Sequence, residues 1–544
     1  MPFPPGLVNS YTLVEGYTLA DLTRWLLLGA VVVLLSLVAV RISARSGLPT
    51  MLLYLGIGLA FGDGGAGIAF DNAALTQVLG YAALILILAE GGLTTPWNGI
   101  RKAVFPAIVL STVGVFVSIG VVAVACHLVL GLTWSMALLM GAILSSTDAA
   151  AVFSVLRDVP LPSRLRGILE AESGFNDAPV VIITTAFALQ LTEGDAPDPA
   201  WQLALLALVE LGVGAVIGIA VGWLGGKAVR LLARGASGIF AIGVIAVPVL
   251  GYAVAASVHA SGFIAAYLAA LVLGNMRLPH RAAVNGFVQA LGTIAQVGLF
   301  FLLGLLASPS RLPVEAWPAL VIGLVLLVVA RPLSVAASLT PFRVPWRDQL
   351  FVSWAGLRGA VPVVLATVPA TLGATGTRWI FDFVFVLVLI YTLVQGPSLP
   401  WVARKLGVVE SVTQVPLSVE TTALDRMDAE VVMATIGPDS KLAGVEIFEL
   451  RLPAGANVTL VLREDGSFVP EPVTRLRTGD ELLIVTPSAA VDAVHERLVA
   501  VSRAGRLAGW VPDPHEPLSR TDRAKAKAKR IARKAGSVLP PSPS

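Results

Sequence analysis

The stretch Ile168–Thr185 reads ILEAESGFNDAPVVIITT and sets Glu170, Glu172 and Asp177 at the head of an apolar run. A second acidic site, Ser145-Ser146-Thr147-Asp148, stands in the middle of the preceding apolar run. A carboxylate at mid-membrane depth costs about 2.5–3.5 kcal/mol on insertion scales. Such a cost implies a job, and paired intramembrane carboxylates mark a path for a cation or a proton.

The rest of the chain supports a membrane setting. Of its 544 residues, 56% are hydrophobic and only 13% are charged, against about 25% charged in soluble domains. The mean hydropathy is +0.82, and runs of about 20 apolar residues recur, which predicts an all-α polytopic membrane protein. The net charge of +3 is small and sits largely in one tail, so no nucleic-acid partner is expected. The lone Cys126 excludes an intramolecular disulfide and reads as a small core residue. The start, MPFPPGLVNSYTLVEGYTLAD, lacks a basic leader region and an A-x-A site. It is expected to be an extramembrane end and not a cleaved signal peptide.

Thirteen apolar segments are predicted, near 22–41, 50–62, 75–93, 103–130, 134–156, 166–191, 201–224, 238–258, 260–275, 286–306, 315–340, 349–370 and 379–402. Loop charge tests that count. Odd-numbered segments are followed by basic residues such as Arg41/Arg45, Arg101/Lys102, Lys227/Arg230 and Arg404/Lys405. The opposite loops hold Asp63, Asp71, Glu193, Asp195, Asp198, Glu315 and Asp382, with only Arg311 and Arg378 as basic residues. The positive-inside rule then places the N-terminus outside and everything after residue 403 in the cytoplasm.

After Val408 the composition turns soluble. Glu430–Ile436 and Val458–Arg463 alternate like strands, Asp465-Gly466 signals a hairpin turn, and Gly479-Asp480 precedes the strand Glu481–Val485. Ala489–Val501 has helical spacing. A small α+β domain is predicted, with Leu406–Asp425 as its linker. Residues 519–544 are basic and low in complexity, which suits a solvated tail or attachment to anionic inner-leaflet lipids.

On a helix, Ser173, Asn176 and Asp177 share a face, and Glu172 lies four residues before Asn176. Hydroxyl, amide and carboxylate oxygens are hard ligands suited to a partly dehydrated alkali cation. Burial favours the protonated carboxyl and a nearby cation favours the anion. One carboxylate therefore holds either species, and poorly both, which is the physical basis of exchange. Thr147-Asp148 behind two serines reads as a break in a span, where unwound backbone lines a cavity. Thr147 then offers oxygens to the ion, and Asp148 faces half-helix dipoles. Trp354-Ala355-Gly356-Leu357-Arg358-Gly359-Ala360-Val361-Pro362 reads as a second break. Arg358 needs a carboxylate partner there, and Glu172 is the candidate. The two broken spans are seven apart, which fits an inverted repeat with a site at the midplane.

Weaker signals are Arg331-Pro332, which closes the eleventh segment and is expected to snorkel to the cytoplasmic interface, and Glu90-Gly91-Gly92, which reads equally as a gate or an interfacial end. Glu170 is expected to be solvated at a helix end and Glu210 to lie at a dimer face or interface. His259 reads as a structural histidine, and Gly274-Asn275 as a helix C-cap.

The motifs SSTDAAAV, ESGFNDAP and GLRGAVPV, with SGFIAAYLAALVLGN (261–275), resemble those of bacterial sodium/proton and potassium/proton antiporters of the NhaP type. The resemblance spans roughly residues 20–405. It implies thirteen helices, two crossed broken helices, a dimerisation domain beside a moving core, a homodimer and alternating access. It also implies that Asp177 is the ion- and proton-binding aspartate and that Asn176 marks electroneutral exchange. Glu172, Ser173 and Thr147 are implied as further ligands of the monovalent cation, with Asp148 and Arg358 organising the site. Two departures are Ala149, where many relatives have proline, and Gly174-Phe175, where larger apolar pairs are common.

The soluble region resembles the C-terminal half of the RCK (TrkA-C) module, through SKLAG (440–444), ELRLP (449–453), REDG (463–466) and TRLRTGDELL (474–483). That module is common on potassium transport proteins. It implies potassium/proton exchange regulated by a small cytoplasmic ligand such as a nucleotide, and no Gly-rich fingerprint predicts NAD. The expected organisation is a transmembrane antiporter domain over 1–405, a linker over 406–425, a regulatory domain over 426–503 and a basic, partly disordered tail over 504–544. The expected setting is the bacterial inner membrane. No cofactor is expected beyond the transported K⁺ (or Na⁺/Li⁺) and H⁺. A ligand-gated channel would want a filter loop such as TVGYG, which is absent, and a solute symporter would want a larger polar cavity.

Overall fold

The computed structural model describes residues 12–14, 17–156, 159–193, 200–232, 237–276, 278, 281–409, 417–424, 429–438, 440–463, 466–487 and 490–508. It divides into two units, residues 1–411 and 412–544. The basic tail over 519–544 lies outside the described residues, as do Asp195 and Asp198.

In the first unit, nine of the described helices are long and apolar enough to cross a membrane, and four more are shorter apolar helices. Each of the thirteen predicted segments finds its helix. The first is Leu19–Ser46 and the last Arg378–Leu406. The fifth and twelfth segments are broken. Trp134–Ile143 is separated from Ala149–Val155, and Trp346–Trp354 from Ala360–Leu365. A short antiparallel strand pair missed in the sequence, β1 (Thr12–Val14) with β2 (Tyr17–Thr18), precedes the first span.

The helices sort into two bundles. Spans one to three and seven to ten pack on one another, spans four to six and eleven to thirteen do the same, and fewer contacts join the two sets. Small residues set the closest packing in the first bundle. A Cβ on Gly214, Gly218 or Gly222 of the seventh span would lie 2.5–2.7 Å from the backbone oxygens of Ser261, Ala265 and Ala269. This is the small-xxx-small spacing that lets membrane helices approach through their backbones. Two spans carry a π-helical turn, Leu110–Gly114 in the fourth and Leu326–Ala330 in the eleventh. The Ser334 hydroxyl donates to the Gly114 carbonyl at 2.8 Å and so links them. Such turns recur at functional sites.

Loops that the charge pattern puts on one side meet one another. Arg311 reaches Asp382 at 2.8 Å, and Arg378 reaches Asp71. On the other set of loops, Asn275 caps the ninth span and accepts the Trp97 N–H at 2.7 Å. The C-cap expected at Gly274-Asn275 is therefore also a clamp on the loop after the third span.

The second unit is a five-stranded antiparallel sheet in the order β3-β4-β7-β5-β6 with a helix, Val491–Ala504. Its strands are β3 (Leu417–Leu424), β4 (Ala429–Ile436), β5 (Asn457–Arg463), β6 (Gly466–Phe468) and β7 (Glu481–Pro487). Alternate residues Val432, Ala434 and Ile436 of β4 turn inward onto Leu482, Ile484, Val494 and Leu498. The linker expected over 406–425 requires correction, because β3 lies within it and pairs with β4 along its length. LSVETTAL carries few bulky apolar residues, so its alternation was too weak to stand out.

Candidate site at the crossing of two broken helices

The two breaks touch. The Asp148 N–H donates to the Leu357 carbonyl at 2.8 Å. Asp148 is also the N-cap of the half-helix Ala149–Val155, its carboxylate accepting the Ala151 N–H at 3.1 Å. A capping aspartate makes proline dispensable at the next position, so Ala149 suffices to start the turn. Gly359 allows the crossing, since a Cβ there would lie 1.8 Å from the Asp148 Oδ2 and 2.6 Å from its Cβ. We predict that Gly359→Ala separates the breaks, costs about 1–3 kcal/mol of stability and abolishes transport. Thermal unfolding and vesicle flux check this together.

The sixth span, Ser163–Glu193, brings its motif against the first break. The Ser146 hydroxyl donates to the Asp177 Oδ1 at 2.7 Å. Asn176 donates to the Thr147 hydroxyl at 2.5 Å, and that hydroxyl donates to the Glu172 Oε1 at 3.2 Å. Glu172, Asn176 and Asp177 are all buried. A cavity of about 370 Å³ opens on this cluster, lined by Thr147, Asp148, Ser173 and Asp177 and, from other spans, by Glu90 and Tyr267.

Two expectations about arginines need correction. Arg331 does not snorkel. It is buried and holds Glu172 bidentately, Nη1 to Oε1 at 2.6 Å and Nη2 to Oε2 at 2.8 Å. The helix does not end there, because it runs on through Arg331–Leu339. Arg358 is not the partner of Glu172. It donates to the Ser145 carbonyl at 2.9 Å and to the Ser146 carbonyl, satisfying backbone freed by the first break. A planar fork suits both tasks. Which arginine met the glutamate depended on tertiary placement.

Glu172 also differs from its expected place among the cation ligands. Arg331 occupies both its oxygens, and it does not line the cavity. Glu170, expected to be solvated, lines that cavity instead, and so does Glu90. The sequence reading missed Ser111, whose hydroxyl donates to the Glu172 carbonyl at 3.2 Å, and the role of Ser146. The available signal for Arg331 was its spacing with Ser334 and Ser338, one helical face of polar residues in an apolar run, all buried. Gly174, an apparent departure, makes room for the Tyr267 ring. A Cβ there would lie 2.3 Å from the ring's Cζ, and Phe175 packs edge-on against the same ring.

The family model for the transmembrane sodium/hydrogen exchanger matches residues 30–405. This chain belongs to the sodium/hydrogen exchanger family. A TrkA-C domain follows at residues 431–499. The exchanger is 37% identical over 488 residues to the K(+)/H(+) antiporter NhaP of Alkalimonas amylolytica, covering 87% of this chain and 83% of that one. It is 34% identical to the K(+)/H(+) antiporter NhaP2 of Shewanella sp. (strain MR-4), with the same coverage. Its fold is similar to that of the sodium proton antiporter MjNhaP1 of Methanocaldococcus jannaschii, with a TM-score of 0.61 and 21% identity over 71% of this chain and 99% of that one. The exchanger is therefore a secondary transporter for a monovalent cation and protons.

Proposed function

We propose that the chain is an electroneutral potassium/proton antiporter of the bacterial inner membrane, in which Asp177 alternately holds a proton or the cation. The observation that carries this reading is the division of labour between the two carboxylates of the sixth span. Glu172 is occupied by Arg331, while Asp177 lines the cavity beside Ser173 and Thr147. A single exchanging carboxylate with a neutral Asn176 beside it supports one proton per cation. Asp148 serves the half-helix cap, and Thr147 and Ser173 supply neutral oxygens to the ion. Glu172, Asn176 and Arg358 organise the crossing.

Potassium is favoured by two things. One is the TrkA-C domain. The other is that relatives at 37% and 34% identity are named K(+)/H(+) antiporters, whereas the Na(+)/H(+) antiporter ApNhaP of Aphanothece halophytica is 27% identical. The two bundles supply a scaffold and a moving core, with the cavity at their seam, and the scaffold would carry the homodimer contact. The N-terminus lies outside and the soluble domain in the cytoplasm, where a small ligand such as a nucleotide regulates exchange.

The test is dissipation of a preformed pH gradient in proteoliposomes with K⁺, Na⁺ or Li⁺, with the membrane potential clamped and free. Collapse with K⁺, unaffected by the clamp, is expected. Collapse with Na⁺ or Li⁺ alone would overturn the potassium preference, and clamp sensitivity would overturn electroneutrality. Removing residues 412–544 is expected to leave exchange in place and change its pH or ligand response. Loss of all transport in a monodisperse truncation would contradict a regulatory role.

A further inference from the structure

A second cavity, of about 610 Å³, lies at the seam between the two bundles and shares no lining residue with the first. Its size is that of a ligand pocket. Ile108 of the fourth span forms one wall, and Leu211, Ile219 and Leu268 of the seventh and ninth form the other. Its polar side chains are already engaged. Ser111 donates to the Glu172 carbonyl, Thr112 to the Ile108 carbonyl, and Asn275 bonds Trp97 and Thr95. Nothing in it calls for a polar occupant, and its helices are membrane spans.

The mouth is different. Trp97 and Val104, which line the cavity, bracket Arg101 and Lys102 on the turn between the third and fourth spans. Both cations are exposed, and neither forms an ion pair within 4 Å among the described residues. Trp97 is partly exposed beside them, in the manner of an aromatic side chain at headgroup level.

We infer that this cavity binds an anionic phospholipid, its phosphate on Arg101 and Lys102 and an acyl chain between the fourth, seventh and ninth spans. Charge complementarity at the mouth selects the headgroup, and the apolar walls select the chain. The far wall includes Phe175, next to Asn176. The occupant therefore sits where the two bundles meet, against the span that carries Asn176 and Asp177. The inference rests on the membrane placement of these helices and not on which ion is carried, so its test reads binding and not transport.

Full-length protein in neutral detergent would be titrated with phosphatidylglycerol or phosphatidylcholine of the same chain length and followed by native mass spectrometry. Wild type should retain phosphatidylglycerol in preference. Arg101→Ala with Lys102→Ala should weaken that binding roughly tenfold or more without changing the phosphatidylcholine signal. Gly212→Phe should reduce both lipids, because Gly212 lines the cavity and a Cβ there meets nothing within 4 Å, which leaves room for a ring to fill the space. Ala215→Leu serves as the filling variant if the larger residue lowers the yield of folded protein. Soluble glycerol phosphate should not compete. Equal retention of the two lipids would overturn the inference, as would phosphatidylglycerol binding unchanged in the double variant, or competition by glycerol phosphate.

Discussion

Replacing Asp177 with asparagine is expected to reduce cation/proton exchange to the level of protein-free vesicles while leaving a folded protein. The substitution keeps the size of the side chain and the acceptor for the Ser146 hydroxyl, so the bond at 2.7 Å can persist. In the proposed mechanism it removes the group that takes up a proton or balances a cation. A buried carboxylate is costly to keep at membrane depth, so the neutral variant should melt at the same temperature as wild type or higher. Loss of flux with retained stability would place the chemistry at this carboxylate. Wild-type flux in the variant would remove Asp177 from the mechanism.

Arg331→Ala carries the largest expected cost in stability. It would leave Glu172 buried with neither of its two close cationic hydrogen bonds. Breaking one side of a buried ion pair costs about 3–5 kcal/mol, because the abandoned charge has no solvent to turn to. Arg331→Lys should recover only part of this, since an ammonium cannot span both carboxylate oxygens. Arg331→Met with Glu172→Leu should lie well above the arginine variant alone, because no charge is then stranded. Thermal unfolding of wild type and these three variants checks the order, and adding Arg331→Met and Glu172→Leu singly completes a double-mutant cycle. If Arg358 were the partner of Glu172, the Arg331 variants would be mild and Arg358→Ala would show the coupling instead.

Much of this was legible in the chain, and the reasons are physical. Thirteen spans were readable because lipid demands continuous apolar length, and the breaks were readable because Ser145–Asp148 and Gly356–Gly359 are polar or backbone-permissive within such length. The helical face shared by Ser173, Asn176 and Asp177 followed from spacing alone. What was not legible depended on contacts between distant segments. Arg331 and Glu172 are 159 residues apart, and a second arginine, Arg358, offered an equally plausible mate. Arg331-Pro332 also looked like a helix end. A preceding π-helical turn carries the helix through the proline, and single-sequence periodicity does not register such a turn. The strand β3 was missed for the opposite reason, because half of its residues are polar and its pairing with β4 defines it more than its own pattern does.

Competition of both ions for one carboxylate is the core of the proposed exchange. The most direct measurement is the apparent KM for K⁺ and the maximal exchange rate, taken in proteoliposomes across a range of pH with symmetric buffers. If both ions compete for Asp177, in the acidic range KM rises about tenfold for each unit of pH while the maximal rate at saturating K⁺ stays constant. A maximal rate that falls with pH at constant KM would mean that proton and cation bind at separate groups, and would contradict the assignment of Asp177 to both.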